Sequence, residues 1–332
     1  MLFAGCSLCG ILGEKNLQPF IRSAIELRFE HRYAKADSIF LDLQKKYTGD
    51  PAPYFLRASN LHDKMLHCED FERIGEMNAL FDTAIALAEK DTSDGWNYWI
   101  IGSSYGYRAI TLAKLGKYLL AINVSSDAMD YLEKACKYPE IRADAALGIG
   151  GYDYWRTAKL GILTYLPFVP DKRKAGLSNL HIAEKMSVFS QDAARHALVY
   201  IYCEEEKLDS AAMERDYIAA KYPSSVLPLW YNLAIEEKRE NIEKIFLAGD
   251  ELSVALDTLG NEQANNRIYV HHLAAEKAVR LEYWDLVCIH CTAVLAGHLP
   301  PKNLEANKKK IEQLTEWAKM AADKGASCHQ FK

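Results

Sequence analysis

No apolar run in the sequence approaches the roughly eighteen residues that a membrane-spanning helix needs, so no segment reads as transmembrane. Proline and glycine are scarce, 10 and 18 in 332 residues, which is too few for the many tight turns of an all-β protein. There is no excess of basic charge either. The net charge is −5, with acidic and basic residues interspersed. That excludes the basic footprint of a non-specific nucleic-acid binder and fits solvated helix faces. A disulfide framework is not expected, because such frameworks belong to short secreted chains with little core. The eight cysteines (Cys6, Cys9, Cys68, Cys136, Cys203, Cys288, Cys291 and Cys328) are scattered, and most are expected to pack as small hydrophobes. No G-x-S-x-G elbow, phosphate-binding loop or H-E-x-x-H pair is present, so no catalytic residue, metal or cofactor is expected.

What the sequence does have is helical periodicity throughout, with small residues at a repeated spacing. Ala109, Ala121 and Ala128 lie twelve and then seven residues apart, with Gly116-Lys117-Tyr118 at the turn between. The same intervals link Ala24, Ala36 and Leu43, then Tyr200, Ala212 and Ala219, then Ala274, Leu286 and Ala293. Between these units the spacing is disturbed. His62 to Arg73 reads as an insertion that lengthens a turn, and the prolines at Pro167 and Pro170 break a helix. Thr92-Ser93-Asp94 is a helix-start signal for a long helix from about Trp96 to Leu115.

Small residues at these intervals, an aromatic before the middle one and a proline at the unit's end together resemble the tetratricopeptide repeat, a helix-turn-helix of about 34 residues. The resemblance covers most of residues 17–296. It implies an all-α, right-handed α-solenoid of about seven stacked antiparallel hairpins, with Ala109 and Ala121 buried at a helix crossing. A polar final helix, about Leu304 to Ala322, caps the array within residues 297–332.

Residues 1–16 read as a flexible segment. Phe3-Ala4-Gly5-Cys6 resembles the end of a bacterial lipoprotein signal, although Phe3 replaces the usual aliphatic residue. Two readings stand. Either this is a native start on a cytoplasmic protein, or the true start lies upstream and Cys6 is lipidated in the bacterial envelope. Membrane anchoring is expected only through Cys6.

Few other residues point to chemistry. Gly148-Ile149-Gly150-Gly151 lacks the spacing of a nucleotide loop and reads as a close helix approach. Cys288 and Cys291, with His290, share a helix, but Val287 and Val294 continue the same apolar pattern, so the group reads as core rather than zinc site. Cys6-Ser7-Leu8-Cys9 has redox spacing without the βαβ context that would support it.

The densest aromatic cluster is the main candidate for binding. Trp96, Trp99, Tyr107 and Arg108 fall on one long helix, and Tyr152, Tyr154, Trp155 and Arg156 fall on its counterpart one unit later. Aromatics and arginine dominate binding hot spots, and in the resembled family first helices line a concave partner-binding surface. The expectation is therefore a non-enzymatic scaffold that takes a protein or peptide through these residues. The alternative is a lipoprotein of an envelope or uptake system that holds a small molecule or lipid, and an enzyme with an unrecognised site ranks third.

Overall fold

A computed structural model describes residues 10–160 and 170–328, and every regular element among them is helical. The expected lipidation point Cys6, with Cys9, and the expected helix break at Pro167 lie outside the described residues. The chain forms two compact units. The first comprises residues through Lys64 together with Glu72–Leu198, and the second comprises Met65–Phe71 and the chain from Val199 onward.

The first unit holds α1 (Gln18–Glu26), α2 (Tyr33–Lys46), α3 (Ala52–Cys68), α4 (Ile74–Ala88), α5 (Gly95–Lys114), α6 (Tyr118–Ala135), α7 (Arg142–Leu160) and α8 (Arg173–Met186). Next, α9 (Gln191–Glu204) belongs to it through Leu198, as α3 does through Lys64. The second unit holds α10 (Leu208–Lys221), α11 (Leu227–Arg239), α12 (Ile242–Asp257), α13 (Ala264–Arg280), α14 (Trp284–Leu295), α15 (Pro301–Ala306) and α16 (Lys308–Asp323). In both units most helices pack against their chain neighbours.

Local chemistry explains where several helices begin. Asp94 caps α5, its carboxylate accepting the Trp96 N–H at 2.9 Å. Asn241 caps α12 in the same way, accepting the Lys244 N–H at 3.0 Å. Each cap satisfies a donor that a helix start leaves without an intrahelical partner. Two expectations of extent are corrected. Residues 62–68 do not lengthen a turn but continue α3, because Leu61, His62, Met65 and Cys68 carry a buried stripe onward. The final helix is two helices, interrupted at Asn307, whose amide donates to the Asn303 carbonyl and to Asn265 Oδ1.

Five of the turns share one geometry. His31, Glu69, Gly116, Glu206 and Glu282 all have left-handed φ between 49° and 74°. In each case the next residue's N–H reaches back five residues to a helix carbonyl: Arg32 to Leu27, Asp70 to Met65, Lys117 to Leu112, Lys207 to Tyr202, and Tyr283 to Ala278. This bond closes the helix C-terminus and reverses the chain. Five residues after the left-handed residue, four of the turns place a buried side chain: Ala36, Ala121, Ala211 and Val287.

That rule shifts the register of two repeats. The buried triplets are Ala24, Ala36 and Leu43, then Ala109, Ala121 and Ala128, then Val199, Ala211 and Ile218, then Ala275, Val287 and Val294. The twelve-seven interval survives in all four. In the third and fourth, however, it runs one residue before and one residue after the triplets expected at Tyr200 and Ala274. Side-chain size does not choose between the two registers, since Ala211 is no larger than Ala212 and Val287 is smaller than Leu286; the buried residue is the one five positions after the left-handed residue.

The closest approach lies between α7 and α8. A Cβ added at Gly176 would stand 2.7 Å from the Gly150 carbonyl oxygen and 2.8 Å from the Tyr154 nitrogen. No side chain fits there, which accounts for Gly150 and Gly176, while Gly148 faces Leu132 of α6 and Gly151 faces open space. Gly102 plays the same part between α5 and α6, where an added Cβ would meet Leu132 at 2.8 Å and the Ala128 carbonyl at 3.0 Å.

In the second unit, Cys288 is buried as expected but is also bridged to Cys328, forty residues on. That loop length corresponds to roughly 4 kcal/mol of chain-entropy stabilisation. The bridge fastens the chain after α16 to α14 across a core that includes Val287, Cys291, Val294, Leu314 and Ala318. Cys68, Cys203 and Cys291 are buried and are not in disulfides.

Gly176→Ala is expected to cost about 1–3 kcal/mol through overpacking. Gly151→Ala, one residue from the crossing with nothing within 4 Å of its added Cβ, is expected to stabilise by up to about 1 kcal/mol through helix propensity. Urea unfolding of the two variants checks this. Equal effects would show that α7 and α8 do not meet at Gly150 and Gly176.

Candidate functional site

The aromatic residues expected to bind a partner fall into two groups in the first unit. On α5, Trp96 and Trp99 are buried and meet edge to face, with centroids 5.6 Å apart. Trp96 continues to Phe189, and Trp99 continues to Phe55 at 5.0 Å. Phe55 then leads to Tyr107, which stacks on Phe81 at 5.8 Å and meets the His62 ring at 4.7 Å. This is a continuous aromatic layer joining α3, α4 and α5. Arg108 is not open at its rim but donates to the Asn78 carbonyl at 2.9 Å and to Asp82 at 2.6 Å, with its guanidinium 5.9 Å from the Phe81 ring centroid.

The second group lies on α7. Tyr154 is buried and touches Trp155 edge to face at 5.2 Å. Tyr152 and Trp155 are partly exposed, and Arg156 is exposed, its guanidinium 5.7 Å from the Tyr152 centroid. Asp144 fixes the start of this helix. It accepts from Val188 N at 2.7 Å, Phe189 N at 2.8 Å and Ser190 Oγ at 3.0 Å. Nearby, Lys172 reaches Asp153 at 3.2 Å.

Sequence reasoning missed a polar cluster beneath the first group. Arg28 is buried and donates to Ser59 Oγ at 3.1 Å while pairing with Asp63 at 3.0 Å. His62 Nδ1 lies 3.2 Å from the other Asp63 oxygen. Burial opposes both charges of the pair. Burial is the largest single influence on each, but the mutual attraction together with Tyr107 beside Arg28 and His62 beside Asp63 outweighs it, so the Asp63 carboxyl is held below its ordinary pKa and Arg28 above its own. Tyr107 hydrogen-bonds to Arg28 and Ser59, and burial, then the Asp63 charge, pushes its phenol up to about 12. A third of the Asp63 side chain remains open to solvent. The legible signal was the run Ser59-Asn60-Leu61-His62-Asp63, which is too polar for a helix that is otherwise core.

The second unit has its own buried polar group. His271 on α13 and His290 on α14 face each other with their Nδ1 atoms 3.1 Å apart. One of the two must donate and the other accept. Asp257 Oδ1 lies 3.3 Å from His271 Nε2, and Asp250 Oδ1 lies 3.5 Å from His290 Nε2. Burial, then the neighbouring His271, pushes His290 down to about 4. No group of three or more metal-ligating side chains with suitable geometry occurs among the described residues. An open depression of about 460 Å³ in the second unit is lined by Tyr283, Trp284 and Lys324 and includes no residue of either aromatic group.

Compared with known proteins, the chain matches no protein-family model and no curated protein.

His290 yields a prediction about pH. Its folded pKa lies below the unfolded value near 6.5, so the unfolded chain takes up the proton first. Its contribution is complete above pH 6.5 and is lost as pH falls toward 4. Over that window the wild type is expected to lose roughly 1–3 kcal/mol more than His290→Asn. Urea unfolding of both proteins at several pH values measures the difference. Parallel pH profiles would show that His290 is not held neutral by burial.

Proposed function

We propose that this chain is a non-enzymatic scaffold that binds a protein or peptide through the outward aromatic face of α7, with Tyr107 and its surroundings as the rigid support. The all-helical architecture is compatible with the tetratricopeptide-like, right-handed solenoid that the repeat spacing resembles. One observation carries the reading. Tyr154 satisfies the core face of α7, yet Tyr152, Trp155 and Arg156 leave aromatic and guanidinium surface toward solvent on the same helix. Rings with few rotatable bonds and a planar donor group bury area at low entropic cost, which is what a hot spot requires.

Trp96, Trp99 and Tyr154 support this surface from within rather than meeting a partner directly. Arg108, engaged with Asp82 and Asn78, holds α4 against α5 in the same supporting role.

The Cys288–Cys328 bridge favours an oxidising compartment, since disulfides persist there and are rare where thiols are kept reduced. It favours the envelope reading over the cytoplasmic one on redox grounds alone and does not bear on lipidation of Cys6.

A photoreactive residue placed at Tyr152 or Trp155 should give a discrete crosslinked partner in cells, and one placed at the exposed Met213 of α10 should not. Binding of that partner should weaken roughly thirty-fold in Trp155→Ala, about 2 kcal/mol, with the thermal midpoint unchanged. Identical crosslinking at all three positions, or unchanged affinity in Trp155→Ala, would reject the assignment.

A further inference from the structure

The turn between α5 and α6 carries an apolar surface that the aromatic groups do not use. Ile110, Tyr118, Leu119, Leu120 and Ile122 are 52%, 66%, 81%, 54% and 50% exposed, and Leu115 is 39% exposed. Elsewhere among the described residues no thirteen-residue stretch holds more than three exposed large hydrophobics, the densest being Leu247, Val254 and Leu259, whereas these six fall within thirteen residues. The helix start is not loose. Ala121 and Ala128 are buried, and Gly102 lets α6 approach α5 closely. The exposed side chains therefore stand on a firmly seated tip.

Two features point to what covers it. The first is angular. Successive helix residues are turned by about 100°, so Tyr118, Leu119 and Leu120 together sweep about 200° around the α6 axis. A partner groove covers one stripe of a helix. A medium that surrounds the tip covers all three. The second is charge. Residues 109–126 carry Lys114 and Lys117, both exposed, and no acid, in a chain with 45 acidic residues and net charge −5. An apolar tip with a tyrosine and two exposed lysines matches the interface of an anionic bilayer, where acyl chains take the leucines and headgroups take the lysines.

We propose that the α5–α6 tip is a peripheral membrane-docking site that inserts into the headgroup–acyl boundary of anionic lipid, independently of any lipid on Cys6. It would hold the first unit against the bilayer at its Leu119 edge. No helix among the described residues is long and apolar enough to cross the membrane, so the contact is interfacial.

Flotation of the purified, unlipidated full chain with vesicles tests this. The chain should float with phosphatidylglycerol-rich vesicles and less with pure phosphatidylcholine. Leu119→Asp with Leu120→Asp should weaken vesicle binding at least about tenfold, with circular dichroism and thermal midpoint unchanged. Lys114→Glu with Lys117→Glu should remove the preference for anionic lipid. Three results would overturn the proposal. One is a wild type that does not float, or floats no better than the leucine variant. Another is a wild-type dimer that the leucine variant turns into a monomer, which would make a second copy the occupant. The last is flotation that arises only when residues 161–169 are replaced by glycine and serine, which would make that apolar segment of the chain the cover.

Discussion

The first unit depends on backbones meeting without side chains between them. Gly150 and Gly176 leave no room for even a methyl group where α7 crosses α8, and Gly102 does the same for α5 and α6. Interiors are packed densely enough that such contacts cannot relax by a small shift. A close crossing brings the flanking side chains into register along the whole helix, so it also decides which of them point inward. Tyr154 is driven into the core four residues after Gly150, and its neighbours Tyr152 and Trp155 are left toward solvent. The candidate binding face is thus a consequence of the glycine contact.

Beneath α5 the organising contact is electrostatic. A buried arginine is tolerated only with its charge answered, and Asp63, Ser59 and Tyr107 answer it. Tyr107 thereby links a polar cluster to the aromatic layer running from Phe81 through Phe55 to Trp99. Removing one partner of such a pair leaves an uncompensated charge, which is costlier than never having had the pair. The layer is therefore better suited to holding a surface rigid than to opening and closing.

Much of the fold was legible. Helical periodicity located the long α5, and Asp94 marked its start. The twelve-seven interval identified which kinds of residue pack at crossings. Its phase was legible at Ala36 and Ala121, where no equally plausible residue stands beside the buried alanine. At Ala211 and Val287 an adjacent residue of similar size or polarity masked it, and the deciding feature was a left-handed glutamate that no propensity would nominate. Candidate site residues were legible by type but not by exposure, since Trp96 and Trp155 look alike until helix crossings are fixed. The Arg28–Asp63 contact joins the turn after α1 to α3, and the Cys288–Cys328 bridge closes over forty residues. Neither pairing has a local signature.

The central physical claim is that a turn of this kind, through its left-handed residue and the bond from the next N–H, fixes the phase of the following helix, as four of the five such turns do by burying the residue five positions later. Adjacent alanines on α10 offer the most direct test, because they differ in phase and in little else. Ala211 is buried and Ala212 is partly exposed. Ala211→Leu and Ala212→Leu should be compared by urea unfolding. The account predicts a loss of about 1–3 kcal/mol for Ala211→Leu and a change within about 0.5 kcal/mol for Ala212→Leu. The reverse order would contradict it.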